Sequence, residues 1–138
     1  GDNIFQNDVL PHGIPKGVGK TSAMFFFSNQ KDNSRFGVPV FSGGSPNPLR
    51  QTLIAIEEKP VKPKSELAVT GLYIYPPNVF RIIRDLKPSK RGEIEVTDIN
   101  NWYIKRGKCA YSWFQGFWSD AGTAESLFEV TKWVHESN

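Results

Sequence analysis

The sequence is short of cysteine and of long apolar runs. Its single cysteine, Cys109, cannot form an intrachain disulfide, and one cysteine excludes a cysteine-rich zinc site. No segment approaches the roughly 20 apolar residues that cross a bilayer, and the chain opens with Gly1-Asp2-Asn3 rather than with a signal segment. We therefore expect a soluble cytoplasmic protein with no membrane partner. Because no methionine begins the chain, we also expect Gly1 to be a cut end within a longer protein.

The sequence also lacks a large excess of positive or negative charge. Seventeen Lys and Arg against fourteen Asp and Glu leave a net charge of +3, and the basic residues are scattered. This pattern predicts no nucleic-acid partner and leaves anionic small molecules as candidate ligands. A chain of 138 residues that is 38% hydrophobic is long and apolar enough to bury a core, so we expect residues 1–138 to form a single domain.

Five apolar or aromatic runs predict β-strands. They span residues 22–27, 36–41, 52–57, 67–75 and 109–118. Pro39 suggests that the second run is an edge strand or contains a bulge.

Helices are predicted in the second half of the chain. After Asn78, apolar residues recur with the i, i+3, i+4, i+7 spacing of one helix face. Thr97 is the predicted N-cap of a second helix and Thr123 that of a third. The predicted buried face of the third helix consists of Leu127, Val130 and Val134. Since strands alternate with helices, we expect an α/β fold with a mixed, mainly parallel sheet and flanking helices.

The segment Gly17-Val18-Gly19-Lys20-Thr21 looks like the end of a phosphate-binding P-loop. A P-loop requires a glycine at the position that Ile14 occupies, so the spacing fails. We interpret the segment as a turn before the first of the five runs.

Acidic residues stand at three predicted strand ends or loops: Asp2, the segment 57–60 (EEKP) and the segment 120–123 (DAGT). Open α/β sheets bind ligands beyond the carboxyl ends of their strands, which makes these positions candidates for a site. On spacing alone, each also fits a solvated turn.

Eight motifs follow one another over most of the chain. They are GDNIF at 1–5, SRFGV at 34–38, IEEKP at 56–60, PKS at 63–65, AVTGLY at 68–73, LKPS at 86–89, RGEIEVTDIN at 91–100 and WSDAGT at 118–123. In order and content they resemble the sugar-phosphate nucleotidyltransferases, most closely the glucose-1-phosphate thymidylyltransferases. The resemblance implies part of the Rossmann-like fold of the nucleotide-diphospho-sugar transferases.

The resemblance also implies a reaction. The phosphate of glucose 1-phosphate would attack the α-phosphorus of a nucleoside triphosphate, giving a nucleotide-sugar and pyrophosphate. The motifs favour dTTP, and therefore dTDP-glucose, with the uridine nucleotide as an alternative. By the same resemblance, Asp2 and Asp120 hold Mg²⁺, while Lys59 and Arg91 supply positive charge near the phosphate. Mg²⁺ suits such a site because it prefers hard oxygen ligands.

Sugar binding is implied for a second group of residues. The Glu58 carboxylate would accept hydrogen bonds from sugar hydroxyls, and Gly37 would let the backbone approach the ring. Val69 and Tyr73, on one face of their strand, would line the pocket. Without the resemblance, Val69 and Tyr73 fit ordinary core positions, and Lys59 and Arg91 fit solvent-exposed ones.

The family's glycine-rich nucleotide-binding half precedes the GDN motif. The resemblance therefore implies that this chain is the C-terminal, catalytic and sugar-binding portion of such an enzyme, with a homo-oligomer as an open expectation. One alternative is a non-catalytic module that binds a sugar phosphate or regulates a full-length relative. Another is carbohydrate binding through surface aromatic residues: Trp113, Phe114, Phe117 and Trp118.

Overall fold

The computed structural model describes residues 3–6, 14–43, 51–88, 92 and 94–137. Within these ranges the strands are β1 (Asn3–Phe5), β2 (Ala23–Asn29), β3 (Gly37–Ser42), β4 (Thr52–Glu58), β5 (Leu67–Ile74), β6 (Cys109–Phe114) and β7 (Trp118–Asp120). The helices are α1 (Val79–Asp85), α2 (Val96–Ile104) and α3 (Ala124–Glu136). The predicted α/β fold with a mixed sheet is confirmed.

Strand β2 is the centre of a three-stranded sheet, with β5 on one side and β6 on the other. Its residues 23–28 are all buried, as expected for a strand whose two faces are both covered. Phe25 and Phe27 lie in the main core cluster together with Ile82 of α1 and Tyr103 of α2. Helices α1 and α2 therefore pack against the sheet through this face of β2.

The direction of the strands corrects one expectation. Among the described strands, β2 and β6 are parallel, whereas the pairs β1–β7, β2–β5 and β3–β4 are antiparallel. The sheet is therefore not mainly parallel in this part of the chain. Parallel neighbours need a long crossover connection, usually a helix, and no helix is described between β2 and β5. Strand β6 follows α1 and α2, and it pairs in parallel with β2.

Two antiparallel pairs bring distant segments together. In the β1–β7 pair, Asn3 faces Asp120 and Phe5 faces Trp118. In the β3–β4 pair, Gly37 faces Glu58, and the register shifts immediately after Val40. That shift follows Pro39 by one residue, which confirms the predicted irregularity.

The aromatic run at 109–118 does not form one continuous strand. Strand β6 ends at Phe114, and β7 begins at Trp118 after a break at residues 115–117. Gln6 occupies this break, because its backbone N–H donates to Phe117 O at 2.9 Å and its side-chain Oε1 accepts from Phe117 N–H at 3.1 Å. The break lets the chain leave β6 and pair with β1.

Helix α3 begins as predicted and packs differently. Thr123 is its N-cap, and the Thr123 hydroxyl accepts from the Ser126 backbone N–H at 3.1 Å in a capping box. Val130 is buried, but Leu127 is 54% exposed and Val134 is 44% exposed, so the predicted buried face is wrong at these two residues. The apolar spacing identified the helix without showing how far other elements cover it.

Helix α2 begins one residue before the predicted N-cap. Its N-cap is Glu95, and Thr97 lies inside the first turn, where the Thr97 hydroxyl donates to the Glu58 carboxylate. Thr97 is not the N-cap, because an N-cap residue precedes the first helical residue, whereas Thr97 follows Val96 within the helix. Further along α2, the Asn101 side-chain amide donates to Ile56 O and accepts from Ile56 N–H, both at 2.8 Å. Helix α2 is thereby fixed to β4.

The Gly17–Thr21 segment is a turn, as predicted. The Gly17 carbonyl accepts from the backbone N–H groups of Lys20, Thr21 and Ser22 at 2.8 to 3.1 Å, and Gly17 has a φ of +99°. None of the described helices has the length and apolar character that a membrane span requires.

Candidate functional site

Residues from six elements converge on a cavity of about 340 Å³. Strands β1, β3, β4, β5 and β7 and the first turn of α2 provide its walls. All predicted site residues that the structure describes line this cavity: Gly37, Glu58, Lys59, Val69, Tyr73 and Asp120. These residues are spread over more than 80 positions of sequence, so their convergence follows from the fold.

Two predicted site residues, Asp2 and Arg91, lie outside the described ranges. Asn3, which follows Asp2 in the chain, is the direct partner of Asp120 in the β1–β7 pair and also lines the cavity.

Asp120 is the last residue of β7, just before the N-cap of α3. Its side chain is 30% exposed, and its Oδ1 lies 3.5 Å from a guanidinium nitrogen of Arg35. The Asp120 backbone carbonyl accepts from Gly122 N–H at 2.5 Å and from the Ser126 hydroxyl at 2.8 Å. The backbone is thus fixed by the start of α3, while the carboxylate faces the cavity beside a cation.

Strand β4 ends at Glu58, and Lys59 follows it. Both residues line the cavity. Glu58 Oε2 accepts from the Thr97 hydroxyl at 2.5 Å, which fixes one carboxylate oxygen. Lys59 has a φ of +45°, in the left-handed region that residues other than glycine rarely adopt. Its backbone N–H donates to Phe36 O at 3.0 Å. This bond holds the backbone turn at Lys59, which lines the cavity.

Gly37 is the residue of β3 that faces Glu58 across the strand pair. A Cβ atom at this position would lie 3.1 Å from Ile56 Cγ2 and 3.3 Å from Val69 Cγ2, closer than such atoms normally pack. The same position lies 3.5 Å from Glu58 Oε2, so a side chain here would also contact that carboxylate. Glycine therefore keeps this wall of the cavity open.

Val69, Gly71 and Tyr73 alternate along β5 and line the cavity together. Val69 is 8% exposed and belongs to the core cluster, so it is both a core residue and a wall of the cavity. Tyr73 is partly buried, and its ring stacks on Tyr75 with the centroids 5.8 Å apart. Burial, together with the negative charge of Glu58, raises the pKa of Tyr73 to about 12. Tyr73 is therefore a neutral phenol at physiological pH.

Nine cavity residues had no predicted role in this site. Four of them are Asn3, Arg35, Thr97 and Trp118. All four fall within the eight motifs of the sequence, which was the available signal. Their roles depend on hydrogen bonds and packing between distant segments. For example, the ring centroids of Phe36 and Trp118 lie 5.2 Å apart. The Arg35 guanidinium lies 5.6 Å from the centre of the same Phe36 ring.

The aromatic residues proposed as a carbohydrate-binding surface are not exposed. Trp118 is 5% exposed and Phe114 is 9% exposed, while Trp113 and Phe117 are partly buried. The Phe117 ring stacks on Trp133 of α3, with the centroids 4.6 Å apart. These rings therefore serve packing.

Larger cavities lie elsewhere. One of about 530 Å³ is found where β2 and β6 end, around Asn29, Lys64 and Trp113. The Lys64 ammonium group there is paired with Glu57 at 2.5 Å. A cavity of about 540 Å³ shares Asp120 with the 340 Å³ cavity but contains no other predicted site residue. The 340 Å³ cavity is the better candidate site, because it contains all six predicted site residues that the structure describes.

The described residues contain no cluster of three or more His, Cys, Asp or Glu side chains that would hold a metal alone. A Mg²⁺ site does not need one, since Mg²⁺ usually binds one or two carboxylates, several waters and substrate phosphates. The partly exposed carboxylate of Asp120 at the cavity fits that requirement.

The fold and the motifs place this chain in a known class. A family model described as nucleotidyl transferase matches residues 1–137, and the chain belongs to that family. A glucose-1-phosphate thymidylyltransferase from Neisseria meningitidis is 38% identical over 137 residues, which cover 97% of this chain and 46% of the relative. A second glucose-1-phosphate thymidylyltransferase, from Mycobacterium tuberculosis, is 35% identical over 136 residues, with coverages of 97% and 45%.

Solved structures agree with this assignment. A Bacillus anthracis protein assigned as a glucose-1-phosphate thymidylyltransferase, crystallised with sucrose, superposes with a TM-score of 0.80 at 44% identity, covering 96% of this chain and 51% of that one. A UDP-glucose pyrophosphorylase in complex with UDP-glucose superposes with a TM-score of 0.70 at 26% identity, with coverages of 85% and 45%. The chain thus spans about half the length of the relatives it matches.

Proposed function

We propose that this chain carries the sugar-phosphate-binding and metal-binding portion of a nucleotidyltransferase that acts on glucose 1-phosphate. The observation that supports the proposal is the 340 Å³ cavity, which gathers every described member of the predicted site. The names of the relatives support the choice of glucose 1-phosphate as substrate and favour dTTP as nucleotide.

In the proposed complex the glucosyl ring lies between β3 and β5. Val69 and Tyr73 form the apolar side, and the absent side chain of Gly37 leaves space for the ring. Glu58 accepts hydrogen bonds from sugar hydroxyls, and the bond from Thr97 orients its carboxylate. A fixed acceptor costs less entropy to engage than a mobile one, which favours affinity.

The phosphate group lies between cations. Lys59 lines the cavity, and we propose that it binds this phosphate together with Arg91. Their positive charges attract the substrate phosphate and reduce the repulsion that it meets as it approaches the triphosphate.

The reaction exchanges one phosphoanhydride bond for another. A phosphate oxygen of glucose 1-phosphate forms a bond to the α-phosphorus, and the bond from the α-phosphorus to the bridging oxygen of the β-phosphate breaks. Pyrophosphate leaves with that electron pair, and no nucleophile from the protein is required. Lys59 and Arg91 hold the attacking oxygen in place, and binding in a partly enclosed cavity limits competing attack by water.

We further propose that Asp2 and Asp120 are the protein ligands of Mg²⁺. The pairing of Asn3 with Asp120 supports this assignment, because Asp2 immediately precedes Asn3 in the chain. Bound Mg²⁺ would neutralise charge on the phosphates as they react. Arg35 also lies 3.5 Å from Asp120 and offsets part of the charge of this carboxylate.

A direct test mixes the protein with glucose 1-phosphate, Mg²⁺ and each nucleoside triphosphate in turn and measures pyrophosphate. We expect release with dTTP as the favoured nucleotide. The variant Glu58→Gln should weaken glucose 1-phosphate binding, whereas the matched control Glu66→Gln, outside the cavity, should not.

Two other outcomes separate the alternatives. Binding of glucose 1-phosphate with no pyrophosphate from any triphosphate would favour the non-catalytic sugar-phosphate-binding or regulatory module. If the protein neither binds glucose 1-phosphate nor releases pyrophosphate, the result contradicts both the enzyme and the non-catalytic module. A cytoplasmic location, a single domain over residues 1–138 and a homo-oligomer also stay proposals, which fractionation, limited proteolysis and sedimentation would test.

A further inference from the structure

The side chain of Asn3 joins β5, which carries proposed sugar-binding residues, to β7, which carries the proposed metal ligand Asp120. Asn3 Oδ1 accepts a hydrogen bond from the Gly71 backbone N–H of β5 at 2.9 Å. The same oxygen accepts from Trp118 Nε1–H at 2.8 Å. The Asn3 backbone is paired with Asp120 in the β1–β7 ladder. One residue therefore contacts the proposed metal strand and the proposed sugar strand together.

Gly71 makes this arrangement sterically feasible. It lies between Val69 and Tyr73 on the cavity face of β5, and a Cβ atom there would overlap the Asn3 side-chain amide. A glycine inside a strand often marks the close approach of another group. Here that group is a side-chain amide, whose oxygen serves the Gly71 N–H as a neighbouring strand would.

We propose that Asn3 is a positioning residue that sets the distance between the metal-binding and sugar-binding walls of the cavity. Its effect on ligands rests on the proposed function, whereas the two hydrogen bonds do not. With Oδ1 in place, β7 and Asp120 are held against the face of β5 formed by Val69 and Tyr73. Without it, two N–H donors lose their acceptor, and the walls can separate.

The expected result is a loss of coupling between metal and sugar phosphate. In the wild-type protein, Mg²⁺ should tighten glucose 1-phosphate binding, because both ligands favour one separation of the walls. The variant Asn3→Leu keeps the size of the side chain and removes the acceptor. We expect it to weaken glucose 1-phosphate binding in Mg²⁺ about tenfold, and to bring the ratio of dissociation constants without and with Mg²⁺ close to one.

Three further variants sharpen the test. Asn3→Asp retains Oδ1 as an acceptor for both donors and should restore the ratio. Gly71→Ala leaves Asn3 unchanged but displaces its amide, and should reproduce the loss seen with Asn3→Leu. The control is Asn33→Leu, because Asn33 is buried and donates to Ser65 O and Leu67 O at the opposite end of β5. It should lower the melting temperature and leave the ratio unchanged.

A spectroscopic measurement tests the hydrogen bond without any ligand. The ¹⁵N–¹H indole resonance of Trp118, assigned with Trp118→Phe, should exchange its proton about tenfold faster in Asn3→Leu and remain protected in Asn3→Asp. An unchanged resonance in Asn3→Leu would overturn the inference.

The two proposals fail in different ways. If the wild-type protein binds glucose 1-phosphate and Asn3→Leu preserves the metal dependence of that binding, the positioning role is wrong and the proposed function stands. If the wild-type protein does not bind glucose 1-phosphate, the proposed function fails and the positioning role fails with it, while the indole resonance still decides the hydrogen bond.

Discussion

Thr97 Oγ1 donates a hydrogen bond to Glu58 Oε2 at 2.5 Å, joining the first turn of α2 to the end of β4. The two residues are 39 positions apart in the chain. The bond commits one oxygen of the Glu58 carboxylate to the protein and leaves the other for a ligand.

Replacing Thr97 with valine removes the donor and keeps the shape of the side chain. We expect Thr97→Val to weaken glucose 1-phosphate binding roughly three- to tenfold, as a hydrogen bond to a charged group at a partly exposed site would predict. Calorimetric titration would measure the dissociation constant. Thr131→Val on α3, whose hydroxyl donates to Leu127 O, is the matched control. Equal affinities in all three proteins would contradict the role given to Thr97.

Asp120→Asn removes one of the two proposed metal carboxylates. We expect pyrophosphate release to fall about 100-fold or more, with a higher Mg²⁺ requirement and little change in melting temperature, because the backbone bonds of Asp120 to Gly122 and Ser126 remain. Rates measured across a Mg²⁺ titration would show this. Asp85→Asn, at the exposed end of α1, should behave as wild type. Unchanged kinetics in Asp120→Asn would remove this residue from the metal site.

The variant Lys59→Gly should change the free energy of unfolding and the affinity for glucose 1-phosphate in opposite directions. Lys59 has a φ of +45°, which costs an L-residue about 1–2 kcal/mol and costs glycine little. After the entropy that glycine adds to the unfolded chain, we expect the free energy of unfolding to rise by about 0.5 kcal/mol. Affinity for glucose 1-phosphate should fall about tenfold or more, because the ammonium group is lost.

The control for that variant is Lys105→Gly at the end of α2, where φ is −58°. Glycine offers no conformational advantage at that angle, so stability should fall there. Chemical denaturation would measure both changes. If Lys59→Gly is less stable than wild type, the left-handed backbone at Lys59 is not a source of strain.

The raised pKa of Tyr73 predicts that the protein loses stability at alkaline pH. Burial and the charge of Glu58 raise the pKa of Tyr73 to about 12, above its usual value of 10.0. The folded state therefore holds the phenolic proton more tightly than the unfolded state does. The resulting stabilisation is complete below pH 10 and is lost as the pH rises to 12, by roughly 2–3 kcal/mol.

Denaturation of the wild type and of Tyr73→Phe between pH 9 and 12 would test this prediction. The wild type should lose stability more steeply, because the variant has no phenol at this position while other titratable groups are common to both. Parallel curves would show that Tyr73 does not contribute.

The sequence predicted the strands and helices well because apolar runs and capping residues are local signals. Thr123 caps α3 as expected, and the run at 67–75 corresponds to β5 (Leu67–Ile74). Strand direction was not predictable in the same way. Direction depends on which strands become neighbours, and the alternation of strands and helices did not reveal that β2 and β5 are antiparallel.

In the candidate site, too, the sequence indicated individual residues but not the contacts between distant segments. Gly37, Glu58 and Tyr73 were assigned from motifs, and the structure places them in one cavity with Asp120. Thr97 was given the role of a cap, because the sequence cannot show that Glu58 lies 2.5 Å from its hydroxyl. Asn3 was part of a motif without a role, since its contact with Gly71 exists only after β1 and β5 have met.

The side chain of Asn101 occupies backbone hydrogen-bonding groups at one edge of strand β4. Strand β4 pairs with β3 along one edge, and at Ile56 the Asn101 amide satisfies both the backbone N–H and the backbone carbonyl of the other edge. An unsatisfied edge can recruit a strand from another molecule and start aggregation. A single polar side chain, supplied by a helix, thus denies a second molecule the hydrogen bonds that it would need at this point.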